Sequence, residues 1–150
     1  MHVGERVVAA LSAPETPEIG WFAARQPAVV RFLEDRLAGT ANEADRDAFT
    51  VALDAARTIG SMFEQQHGVP PARVQQAQLE RAEEAVVGEV RGPGFGIATR
   101  QPALANWLAG LLAEPPVPLT LAETRSVGTA LAAIIYALDE VTTGRPIPIP

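Results

Sequence analysis

Apolar residues recur three and four positions apart along almost the whole 150-residue chain, and its β-branched runs are short and never alternate with polar residues over five positions. The first spacing keeps one face of a helix apolar, whereas a half-buried strand needs a period of two. The expected fold class is therefore all-α. Val3, Val7, Val8 and Leu11 share one face, and Thr16 with Pro17 opens a short helix carrying Trp21 and Phe22. A helix over 25–38 would bury Val29, Phe32, Leu33 and Leu37. The next, over 43–66, has a seam of Phe49, Ala52, Leu53, Ala56, Ile59, Gly60 and Phe63, with Gly68 as its terminating residue. Beyond "VPP" at 69–71, another helix would turn Leu79, Ala82, Val86, Val87 and Val90 inward, until "RGPGFG" at 91–96 interrupts it. A helix over 100–113 follows. The last helix opens on the T-x-x-E pair Thr120 and Glu123 and buries Val127, Ala130, Leu131, Ile134, Ile135 and Leu138. About six helices are expected, in one domain over 1–150.

One phrase occurs twice. "RQPAVVRFLEDRLA" spans 25–38 and "RQPALANWLAGLLA" spans 100–113, with seven of fourteen positions identical and Phe32 standing opposite Trp107. The likeness extends in both directions. "ERVVAAL" at 5–11 parallels "EAVVGEV" at 84–90, and the 43–66 helix aligns with 121–142 at an offset of 78. Self-similarity in three blocks of the same order predicts two tandem three-helix repeats, about 3–66 and 77–142, joined by a linker at 67–76. A pseudo-two-fold would relate them, as in a fused symmetric dimer. The competing explanation is that Arg-Gln-Pro is simply a good helix opening, used twice.

Composition narrows the chemistry. Apolar residues at 47% and charged residues at 20% support a packed core. There is no cysteine, and all twelve basic residues are arginines. That excludes disulfides, thiolate ligands, a Schiff-base lysine and a Walker-type phosphate loop. Net charge is −6 with the signs interspersed, and no basic stripe suggests nucleic acid as a partner. The N-terminal apolar stretch is too short for a signal peptide, and no window was expected to reach the roughly 18 apolar residues of a bilayer span. A soluble, cytoplasmic protein with no nucleic-acid or membrane partner is expected. Glu64 and His67 have E-x-x-H spacing but lack the second pair and further glutamates of a di-iron bundle, so no metal or other cofactor is expected. No serine lies in a G-x-S-x-G elbow, and no catalytic residues are assigned.

The candidate surfaces lie where the copies differ. The first repeat presents Arg31, Glu34, Asp35 and Arg36, where the second has Asn106, Ala109, Gly110 and Leu111. The second helix is consequently apolar on many sides, through Leu104, Trp107, Leu108, Leu111 and Leu112. Such a helix is either wrapped by its own fold or covered by a partner. The tail from 143 to 150 ends in alternating Pro and Ile and favours polyproline II, with Ile147 and Ile149 either docked on the domain or offered to another protein. Its I-P-I resembles the docking tails of small heat-shock proteins, although the β-rich domain those tails accompany has no counterpart here. The leading expectation is a non-enzymatic adaptor or regulatory protein. It would contact a protein partner through Leu104, Trp107, Leu108, Leu111, Ile147 and Ile149, with a homo-oligomer as one form of such contact. The alternative is a small-molecule binder with an apolar pocket between the repeats, lined by Trp21, Phe22, Phe95 and Trp107 and oriented by Arg25 or Arg100.

Overall fold

The computed structural model describes residues 3–11, 19–37, 43–89 and 95–148, with side chains described within these except at 10, 11, 19–21, 43–46 and 95. Among the described residues there are eight α-helices and no strand. They are α1 (Glu5–Leu11), α2 (Ile19–Arg25), α3 (Pro27–Leu37), α4 (Glu43–His67), α5 (Gln76–Val87), α6 (Phe95–Arg100), α7 (Pro102–Ala113) and α8 (Leu121–Thr143). The all-α expectation holds; the count of about six helices does not.

The boundaries differ most at the doubled phrase, where α6 is the added helix. Arg25 closes α2 instead of opening α3, and Arg100 closes α6, which begins inside the glycine-rich stretch expected to interrupt the chain. Proline explains the break. It has no N–H to donate and disfavours the helical region for the residue before it, so Pro27 and Pro102 each start a new helix. The intervening glutamine serves both sides. Gln26 N–H donates to Phe22 O (2.8 Å) and its carbonyl accepts from Val30 N–H (3.3 Å); Gln101 does the same with Ile97 (2.6 Å) and Ala105 (2.9 Å). Each phrase thus joins two helices at a glutamine whose own N–H and C=O are both bonded.

At the centre lies α8, packed by α3, α4, α5, α6 and α7, while α4 in turn supports α1, α2 and α3. Residues 130–139 of α8 and 55–63 of α4 are buried continuously. These stretches form the axis of the core with Phe32, Leu33, Leu79, Ile97 and Leu104, each at most 1% exposed. By length and composition α8 is apolar enough to cross a bilayer, contrary to the sequence-based expectation, but 56% of that apolar stretch is buried inside the fold. Thr120 and Glu123 form the expected reciprocal cap, with Glu123 N–H donating to Thr120 Oγ1 (3.1 Å) and Thr120 N–H to Glu123 Oε1 (2.8 Å). Gly68 ends α4 at φ +79°. One inward assignment fails: Val87 is 67% exposed, because α5 ends there and Ala85 takes the buried position. Thr16, Pro17 and Val90 lie outside the described residues.

Candidate functional site

The helix α7 contains no charged residue, so nothing in its sequence dictates a solvated face. Leu104 and Leu108 turn inward, at 0% and 7% exposed, and Ala103 joins them. Trp107, Leu111 and Leu112 pack on the core but remain half-buried. Residues 114–120, which include Pro115, Pro116 and Pro118, lead into α8 without helix. Between α7 and α8 a groove of about 430 Å³ stays open, lined by Leu108, Leu112, Thr124, Arg125, Gly128, Thr129 and Ala132. Gly128 lets Leu112 lie close against α8: a Cβ there would come 3.0 Å from Leu112 Cδ1. Arg125 is the one charged residue among the described residues of the lining, is exposed, and makes no ion pair with any described residue. It also borders a second groove of about 240 Å³ with Arg36, Glu83, Ser126, Thr129 and Ala130. There Arg36 is already committed, donating through Nε and Nη2 to Glu83 at 2.7 and 2.8 Å.

A buried polar junction lies at the other end of α8. Asp139 is 1% exposed, and its Oδ1 accepts from Gln101 Nε2 (2.9 Å) and Arg145 Nη2 (2.8 Å). Arg100 adds a longer ion pair to Oδ2 at 3.7 Å, with its guanidinium 5.6 Å from the centre of the Tyr136 ring. Tyr136 donates to Glu89 Oε1 at 2.5 Å. Burial, and then the hydrogen bond to Glu89, push the Tyr136 phenol well above its ordinary range, so it stays protonated at neutral pH. The remaining polar atom of Gln101, Oε1, accepts from the Val3 N–H at 2.8 Å. Gln26 occupies the matching bend in the first half. Its Oε1 accepts from the Val74 N–H (2.9 Å) and its Nε2 donates to Ala72 O (3.0 Å).

The tail is tied to the same junction. Gly144 adopts φ +77°, a conformation that strains any residue with a Cβ, and this turns the chain back along α8. Arg145 then reaches Asp139, and Ile147 N–H donates to Glu140 Oε2 at 2.9 Å, leaving Ile147 only 7% exposed. Burial would raise the Glu140 carboxyl, but hydrogen bonds from Gln78 and Ile147 and the Arg81 charge outweigh it. The group is held below the usual carboxylate range.

Of the expected partner surface, Leu104, Leu108 and Ile147 are thus covered by the fold, Trp107 and Leu111 are half-open, and Ile149 lies outside the described residues. Of the expected pocket, Phe22 and Arg25 meet with Gln26, Gly60 and Leu138 around a cavity of about 10 Å³, the room of roughly one water. Arg100 is engaged at Asp139 and Trp107 sits on α7, so the structure does not gather these residues around that cavity. The Trp21 and Phe95 side chains lie outside the described residues. His67 stacks on Phe63 with ring centroids 6.3 Å apart, and no three His, Cys, Asp or Glu among the described residues converge as a metal site would require.

Sequence reasoning passed over Asp139, Tyr136, Arg125 and both glutamines. A signal for Asp139 exists in the sequence: it directly follows the apolar run "AAIIYAL" on the same helix, where a charge on the buried side needs buried partners. In the doubled phrase the arginines carry the charge, but the glutamines are the polar residues that both copies bury, at 3% and 0% exposed. Glu89, at the end of the acidic run that includes Glu83 and Glu84, accepts from Tyr136. Compared with protein-family models, curated proteins and solved structures, the chain matches none of them.

Proposed function

We propose that this is a non-enzymatic adaptor or regulatory protein whose contact surface is the α7 side of the molecule. The observation that carries the reading is the contrast in outward faces. On α3, Arg31, Glu34, Asp35 and Arg36 are exposed, whereas α7 bears no charge and leaves Trp107, Leu111 and Leu112 half-buried beside an open groove. Clustered apolar surface of this kind is what interfaces bury. The polar groups concentrated at Asp139 bind one another and the tail, which suits a structural role. A photo-crosslinker on α7 beside Leu111, followed by identification of what it captures in cells, tests the proposal. Partner capture that is lost in Leu111→Arg and kept in Arg31→Ala is expected; equal capture by both variants would overturn it.

We also infer that the chain is a tandem duplication, with units of four helices rather than three: α1–α4 answering to α5–α8. The support is reciprocity. As α1 packs on α4, α5 packs on α8; as α3 packs on α5, α7 packs on α1. Gln101 holds Val3, two residues ahead of α1, and Gln26 holds Val74, two residues ahead of α5. Each half thereby secures the entry of the other half's first helix, the exchange that a two-fold between α4 and α8 would produce.

A further inference from the structure

The groove between α7 and α8 carries information about what fills it, and this step rests on reading the α7 side as a contact surface. Its floor is apolar and small-residued, with Gly128 and Ala132 facing Leu108 and Leu112. No strand exists among the described residues, and helical backbone has no free ladder to offer. An extended peptide lying here would therefore leave its own N–H and C=O groups without protein partners, whereas a helix arrives with them satisfied. A polyproline ligand wants an aromatic-lined trough, and among the described residues no aromatic lines this one. The charge at the rim is Arg125 alone, without a carboxylate in the lining and without an ion-pair partner among the described residues.

The corresponding face of α4, at the offset of 78, reads Asp47, Thr50, Val51 and Asp54 where α8 has Arg125, Gly128, Thr129 and Ala132. Both acids of the first face are therefore gone from the second, one replaced by an arginine and one by a methyl group. On α4 Asp47 is exposed and Asp54 half-exposed and paired with Arg57, beside a buried Val51. On α8 the same face is apolar, slotted and positive. We infer that the α7–α8 groove docks an amphipathic helix of a partner protein, its apolar anchors seated against Leu108, Leu112 and Ala132 and an acidic side chain on its edge meeting Arg125.

The probe is a labelled amphipathic peptide of about 15 residues, long enough to form a helix on binding. It carries leucines at i, i+3, i+4 and i+7 and glutamates along the edges, and its twin carries lysines instead. Fluorescence anisotropy is measured against the full chain and two variants. The glutamate peptide is expected to bind in preference to the lysine twin. Arg125→Glu should weaken it roughly five- to tenfold and improve the twin, as expected when one interfacial charge pair is reversed. Gly128→Leu, which pushes Leu112 into the groove, should weaken both peptides by on the order of tenfold or more. Because Arg125 is exposed and unpaired among the described residues, Arg125→Glu tests the charge even where Gly128→Leu perturbs folding.

Three outcomes would overturn the inference: equal binding of the two peptides, indifference to Arg125→Glu, or no binding of either. A fourth is sedimentation showing that a second copy of the chain covers this face. Cellular partners that depend on Leu111 while the peptides ignore charge would remove only the helix assignment. Charge-dependent peptide binding with no Leu111-dependent partner would instead remove the wider reading.

Discussion

Two helices that begin with the same words end in different circumstances. Along α3, Val29, Phe32, Leu33 and Leu37 are all at most 5% exposed, and the helix seats against α4, α5 and α8. Their counterparts on α7, at the offset of 75, are Leu104, Trp107, Leu108 and Leu112, of which Trp107 and Leu112 remain half-buried. Nothing on α7 is less apolar than on α3. What differs is the seat: α7 packs on α1, α6 and α8, and has no hold on α4 comparable to that of α3 on α8. The same apolar pattern therefore makes core in one half and surface in the other. Burial belongs to the neighbours of a residue as much as to the residue.

The contrast can be broken most directly at its aromatic pair. Phe32→Ala empties a fully buried site and should cost about 3–5 kcal/mol. Trp107→Ala, at the half-open counterpart, should cost less than half as much by urea denaturation. Equal losses would mean that α7 is as well seated as α3.

A comparable loss is expected at the polar junction. Asp139→Ala leaves Gln101 and the guanidiniums of Arg100 and Arg145 without their shared acceptor and should cost about 3 kcal/mol. The counterpart of Asp139 at the offset of 78 is Ser61, whose buried Oγ has no hydrogen-bond partner among the described residues. Ser61→Ala should accordingly change stability by no more than about 0.5 kcal/mol in either direction.

The two glutamines sharpen the comparison between halves. Gln26→Ala and Gln101→Ala each strip buried backbone donors of their acceptor and should cost about 1–3 kcal/mol. Hydrogen exchange should report the loss across the molecule rather than locally, with the Val74 amide exposed in the first variant and the Val3 amide in the second. Protection lost only within each glutamine's own half would remove the reciprocity.

Smaller effects belong to the tail. Gly144→Ala should cost about 1 kcal/mol through its positive φ, read as faster exchange at Ile147. The pH dependence follows from Glu140. Its carboxyl is held lower in the folded protein than in the unfolded chain, so its contribution is complete above the unfolded pKa and declines as pH falls through the folded one. Docking of Ile147 should thus persist through the ordinary carboxylate range and loosen only below it. An Ile147 amide signal that moves at or above the ordinary glutamate pKa would contradict this.

Sequence alone determined the helical class, the apolar faces of α3, α4 and α8, the cap at Thr120, and the doubled phrase. All of these rest on spacing or on chemistry within a few residues, where chain connectivity already supplies the geometry. It also marked α7 as the helix with no polar side. Only the tertiary structure decided that the shared proline makes a bend between two helices, and that the shared glutamine is the residue each half buries. Tertiary packing likewise brought Asp139 together with Gln101 and Arg145, and turned Ile147 inward. Each of these depends on a partner brought close by folding: Val3 lies 98 residues from Gln101, and Val74 lies 48 from Gln26. A glutamine amide carries no sign in sequence of which distant N–H it will accept from, because that pairing is set by how α4 and α8 pack.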